Sequence, residues 1–188
     1  VLRPALILLV VIVALAVVLT SRPVPLPPTP SRGVVLQNVR LDLYPEQDPE
    51  ATWKFEAGRV EQDPGSREAR VSELKGGERY VRGELDLRLK APSVVIDRVD
   101  NLRLPYATVE ILEGCYRLEL GKPGESEVLV DQRSGFSAPS IHLTAPGIEI
   151  FGRNFRSDFG MQSPTWNIQK ESAQTGGELP PCDIEGGR

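Results

Sequence analysis

Apolar residues two apart recur from residue 34 to residue 170, and no stretch there sustains a helical period. That alternation constrains the fold more than any other feature, because successive side chains of an extended strand point to opposite faces. Val39, Leu41 and Leu43 form the first run, and Trp53, Phe55 and Ala57 the second. Ala69 and Val71 suggest a third. In GELDLRLKAP the apolar set is Leu85, Leu87 and Leu89, and charged residues alternate with it. Val94 and Ile96, Leu102 and Leu104, Val109 and Ile111, and Tyr116, Leu118 and Leu120 follow. Val128 and Val130, Ile141 and Leu143, Ile148 and Ile150, and Trp166 and Ile168 complete the series.

Turn chemistry separates the runs. Pro45–Glu50, Asp63-Pro64-Gly65, Gly76-Gly77, Ala91-Pro92-Ser93, Lys122-Pro123-Gly124, Ser134-Gly135 and Ala145-Pro146-Gly147 each carry residues that favour reversal. Short strands punctuated this way predict an all-β sandwich, barrel or roll. An apolar face opposite a charged one suits antiparallel strands with one wet side. The tripeptide Ala-Pro-Ser occurs twice, at residue 91 and at residue 138, each time beside a short strand. Such a match of small residues carries little weight as a repeat.

Before the strands the chain is of another kind. Residues 5–19 hold no polar side chain, and Arg3 and Arg22 bracket them. Pro4 to Ser21 would span about 27 Å as a helix, close to the roughly 30 Å of a hydrocarbon core. Residues 1–22 are therefore expected to be one amino-terminal transmembrane helix, with a cleaved signal peptide as the rival. The only Ala-x-Ala, at Ala14 and Ala16, lies inside the apolar run and disfavours cleavage after it. A proline-rich linker, residues 23–33, follows. Proline-rich chain extends by about 3.1 Å per residue. The strand domain is expected over 34–170. A flexible tail, rich in Gly, Pro and acid, is expected over 171–188.

The formal net charge is −4, and three of the cations stand in the first 32 residues. No basic stripe exists for nucleic acid. The chain also lacks a Gly-x-Ser-x-Gly elbow and a phosphate-cradling glycine pattern. Its single histidine, His142, alternates with Ile141 and Leu143 and so belongs to the wet face. One histidine and two distant cysteines cannot supply a zinc site. The acids Glu46, Asp48, Glu50, Glu61 and Asp63 match no calcium loop, and aromatics, at 6%, are sparse for a sugar platform. No enzyme activity, cofactor or metal is expected. Cys115 and Cys182 could pair outside the cytoplasm. The plainer alternative is a half-buried Cys115 and an unpaired tail thiol. Phe151, Phe155, Phe159 and Trp166 cluster late in the chain. They are either a plug closing one end of the sheet or part of a lipid-binding mouth, on a short helical turn or a bulged strand.

The apolar start, the linker and the succession VLQNVRLDLYPEQDPEATWKFEAGRVEQD, GELDLRLKAPSVVIDR and FSAPSIHLTAPGIEIFG together resemble the LptC and OstA-like family of lipopolysaccharide-transport β-jellyrolls. The resemblance covers the chain to about Lys170 and rests on pattern, without a catalytic motif. It implies a β-jellyroll-like roll of antiparallel strands, anchored by its helix in the inner membrane with the domain in the periplasm. It further implies a conduit that takes the acyl chains of an envelope lipid from an ABC-transporter permease. The lipid would then pass to another OstA-like β-jellyroll protein. On that reading Leu41, Leu43, Trp53, Phe55, Leu85, Leu87, Leu89, Ile141, Leu143, Ile148 and Ile150 line an open lipid trough. The alternative is a structural or interaction β-domain of the cell envelope that carries no lipid, in which the same residues make a closed core.

Overall fold

A computed structural model describes residues 33–173 and 181–187. The expected transmembrane helix of residues 1–22, and the linker up to residue 32, lie outside the described residues. Among the described residues every regular element is a strand, and no helix is long and apolar enough to cross a membrane.

The twelve strands are β1 (Val34–Leu43), β2 (Ala51–Asp63), β3 (Glu68–Val81), β4 (Glu84–Lys90), β5 (Ser93–Ile96), β6 (Leu102–Leu104), β7 (Ala107–Ile111), β8 (Tyr116–Leu120), β9 (Val128–Asp131), β10 (Gly135–Ala145), β11 (Ile148–Ser157) and β12 (Thr165–Ala173). All pairings are antiparallel. The ladder runs β3-β4-β7-β8-β10-β9-β6-β5 and then returns to β3. It is thus a closed eight-stranded barrel. β1 and β2 extend it beyond β3, and β11 and β12 extend it beyond β10.

This corrects the expected open, jellyroll-like roll and, with it, the resemblance that implied one. The reason lies in β3 and β10. β2 pairs with β3 along nearly its whole length, so both remaining partners share the opposite edge. β4 takes Gly77–Val81 there and β5 takes Ala69–Ser72. β10 repeats the device, with β11 along one edge, β8 on Ile141–Thr144 and β9 on Gly135–Ser137. Each corner strand therefore joins two groups of three strands, and the sheet seals on itself.

The bends have local causes. Glu73 in β3 adopts φ +54°, and β1, on the other side of β2, bends at Asn38, with φ +50°. At the other corner Pro139 falls between the β9-paired and β8-paired stretches of β10, where no ladder hydrogen bond is needed from its nitrogen. The two Ala-Pro-Ser tripeptides mark these corners. One lies in β10, and the other spans the step from β4 to β5.

The interior is filled by the protein's own side chains. Leu87, Leu89, Val109 and Leu118 belong to β4, β7 and β8, and Val94, Leu102, Leu104, Val128 and Val130 belong to β5, β6 and β9. All expose no surface. Each large apolar side chain so buried contributes about 1.5–3 kcal/mol. Trp53 and Phe55 stack at 5.8 Å between ring centroids. The Trp53 indole N–H donates to Gln132 Oε1 at 2.9 Å. Gln132 in turn donates from Nε2 to the carbonyl of Asp100 at 2.7 Å, so this deeply buried amide is satisfied.

The β9–β10 turn yields a pH-dependent expectation. Partial burial pushes the Asp131 carboxyl upward. The Ser134 hydroxyl and the N–H groups of Ser134 and Arg133 donate to it at 2.8–3.0 Å and outweigh burial, so the net shift is downward. A carboxyl whose folded pKa lies below its unfolded value stabilises the fold above the unfolded pKa. That contribution is lost as pH falls through the folded one. Asp131→Asn should therefore be less stable at neutral pH. Its urea midpoint should also fall less than the parent's between about pH 5 and pH 3. Parallel curves for the two proteins would refute the assignment.

Candidate interaction surface

The residues expected to line a trough take three positions. Trp53, Phe55, Leu87, Leu89, Ile141, Leu143 and Ile150 are buried in the core cluster. Leu41 and Leu43 pack on it, half-buried, and Leu85 is also half-buried. Ile148, 41% exposed, stands outside. Trp53, Leu87 and Leu89 expose nothing, so the interior is occupied where an acyl chain would lie. This overturns the lipid conduit, and the permease and OstA-like partners implied with it lose their basis.

The aromatic cluster resolves toward packing. β11 is a strand whose register with β12 is broken by bulges, not a helical turn. Phe155 is fully buried and stacks on Trp166 at 5.7 Å. Phe159 packs edge-on against Trp53 and Phe136 and lies 4.0 Å beneath the Arg79 guanidinium. Phe151 is separate, stacked on His142. His142 lies on the outer face as expected, Nδ1 3.1 Å from Glu119 and Nε2 3.0 Å from Glu149.

The acidic candidates serve turns and ion pairs. Asp48 pairs with Arg79 and Glu50 with Arg82. Glu61 pairs with Arg59. The Glu46 N–H donates to Asp100. Asp63 accepts from the Gly65 N–H at 2.8 Å, which holds its carboxyl below the usual range. Among the described residues no three His, Cys, Asp or Glu side chains converge as a metal site would require.

The two cysteines are joined as Cys115–Cys182, so neither is a free thiol. The bond brings residues 181–187 onto the barrel, where Ile184 is buried. Arg117 pairs with Asp183 at 2.8 Å. β12 itself continues to Ala173, past the start of the expected tail.

What remains open is edge. Among the described residues β1 pairs only with β2, and β12 only with β11. The two edges differ. β12 is polar over most of its length and carries Lys170 and Glu171, the kind of charge that deters further pairing. β1 begins Val-Val-Leu-Gln, with Val34 53%, Val35 46% and Leu36 47% exposed. No charge interrupts it until Arg40. Val34, Val35 and Leu36 are consecutive and so carry no alternation, although the β-branched character of the two valines is a strand signal in itself.

The sequence also misplaced Gly76-Gly77, which sit within β3 and form no turn. There the outer face holds a groove of about 510 Å³. Gly77 is required by its neighbour, since a side chain would begin 2.9 Å from the Phe55 ring. The groove is lined by Arg40, Lys54, Lys75, Arg88 and Lys90, with Asp42, Glu56 and Glu78 as the acids.

No protein-family model matches the chain, and no curated protein matches it.

Proposed function

We propose that this chain is a non-catalytic interaction β-domain of the cell envelope, without lipid cargo, that docks an extended segment of a partner protein along β1. The observation that carries this reading is the outer edge of β1, unpaired among the described residues, with its exposed Val34, Val35 and Leu36. Unpaired N–H and C=O groups on such an edge template a further strand, and apolar side chains on alternate sides give it selectivity. The occupant expected is an uncharged, β-branched segment, because Val34–Gln37 offers no ionic partner. The filled interior supports the absence of cargo. The Cys115–Cys182 bond supports a site of action outside the reducing cytosol.

A photo-crosslinking residue at Val35, in living cells, tests this. One discrete protein adduct is expected, lost when Leu36→Lys is added. The same probe at Leu129, on a strand paired along both edges, should give none. Lipid adducts, or equal adducts from both positions, would refute the proposal.

A further inference from the structure

We propose that the strand received by β1 is β1 of a second copy of this chain, paired antiparallel about a two-fold axis between Gln37 and Asn38. This rests on the docking edge proposed above and names its occupant.

The first ground is a crease that the occupant must share. Leu36 and Val39 lie opposite Val60 and Ala57, which are both buried, so these two residues, three apart, face the core. Gln37 and Asn38 between them are both exposed. The two-residue period of the strand therefore slips here, where Asn38 has φ +50°. The slip continues across the neighbouring strands. Asn38 and Gly58 fall between the rungs Gln37–Arg59 and Val39–Ala57, and Gly58 and Glu73 fall between Arg59–Ser72 and Ala57–Leu74. A regularly alternating strand laid along the whole of β1 would change faces at this level. Its apolar side would meet core-facing residues on one half of β1 and outward residues on the other. A second β1 carries the slip in the same place.

The second ground is the symmetry of the faces. From Val34 to Leu41 the core side holds Val34, Leu36, Val39 and Leu41, and the outer side holds Val35, Gln37, Asn38 and Arg40. That order of faces is the same read in either direction. Turning a copy about the axis sets Val34 against Leu41 of the second copy and Leu36 against Val39 of the second copy, and symmetry repeats each pair. Apolar side chains then meet directly opposite one another on the core side, which covers Val34 and Leu36, 53% and 47% exposed in the single chain. On the outer side Gln37 meets Asn38 of the second copy, amide against amide. Val35 meets Arg40 of the second copy, whose aliphatic stem covers it.

The third ground is charge. Arg40 is the only charged residue between Val34 and Leu41, and Glu56 of its own sheet holds it at 2.9 Å. The arriving strand therefore brings no unmatched charge to Val34–Gln37. The two Arg40 side chains fall on opposite sides of the axis, about 17 Å apart at the usual strand rise. Such a pairing uses the same edge of both copies, so it closes as a dimer and does not propagate as a fibre.

The test uses the full chain, expressed in cells in two forms with different tags, with the photo-crosslinking residue at Val35. The expected adduct has twice the mass of the chain, carries both tags and is attached within Val39–Leu41 of the second copy. With the probe moved to Gln37, Val35→Arg should cut the adduct yield about fivefold, because like charges directly opposite are destabilising. Adding Arg40→Glu should restore most of it, and Val35→Glu alone should raise it. Positions 35 and 40 are both exposed, so none of these substitutions disturbs the core. A Val35 adduct with a different protein would overturn self-pairing while leaving the β1 edge as a docking site. The absence of any protein adduct would overturn both. A two-copy adduct attached outside Val39–Leu41, or a yield indifferent to Val35→Arg, would overturn the axis between Gln37 and Asn38.

Discussion

Replacing Arg79 with alanine is expected to remove about 3–5 kcal/mol of unfolding free energy, a large share of what a domain of this size possesses. Arg79 lies in β3 with its side chain only 7% exposed. Its Nη1 bonds Asp86 of β4, its Nη2 bonds Asp48 of the β1–β2 loop, and its plane covers Phe159. One guanidinium thus fastens three separate parts of the chain over the end of the barrel where Trp53 and Phe136 are buried. Truncation strands two carboxylates near each other and uncovers an aromatic ring. Asp48 and Asp86 keep 20% and 24% exposure and can partly resolvate, so the lower half of the range is favoured. Arg79→Lys should recover less than half of the loss, because one ammonium cannot reproduce two bonds in fixed fork geometry. Urea denaturation measures both variants. A loss below about 1 kcal/mol for the alanine variant would place Arg79 with ordinary surface ion pairs.

Arg79 also shows where sequence reading stops. Alternation correctly separated the faces of β2, β4 and β8. Trp53, Phe55, Leu87, Leu89, Leu118 and Leu120 are all buried. That period says which way a side chain points, not which strand lies beside it. Closure depends on β5 returning to pair with Ala69–Ser72 of β3, a relation no local pattern encodes. An open trough and a sealed barrel therefore share one hydrophobic pattern, and the resemblance to a lipid conduit followed the pattern. Arg79, between Glu78 and Tyr80, carries no mark of burial, since its partners come from elsewhere in the chain. Gln132 was hidden for the same reason. It belongs to a polar turn, and only the Trp53 indole makes its burial necessary. The proline and glycine signals fared better at chain reversals than inside strands. Pro146-Gly147 does join β10 to β11, whereas Gly76-Gly77 shapes a groove.

Removing the disulfide with Cys115→Ser and Cys182→Ser should lower stability by about 2–4 kcal/mol. The cysteines are 67 residues apart, and chain-entropy bookkeeping for a loop that long gives an upper value of about 4 kcal/mol. The full value requires residues 181–187 to remain docked once the covalent tie is gone. Three contacts oppose release. Ile184 is buried, Arg117 pairs with Asp183, and Arg88 donates to the carbonyl of Glu185 at 2.7 Å. Asp183 raises the Arg117 pKa, although Asp183 itself is 72% exposed, so this ion pair contributes little. Ile184 burial is then the main non-covalent hold, at about 1.5–3 kcal/mol, and local release competes closely with retention. Amide hydrogen exchange separates the outcomes. Faster exchange at Ile184 and Gly187 in the double-serine variant, with β7 and β8 still protected, would mean that the bond serves mainly to keep this segment on the barrel. Uniformly faster exchange through β7 and β8 would mean that it stabilises the whole domain. An unchanged urea midpoint together with unchanged exchange would contradict both roles.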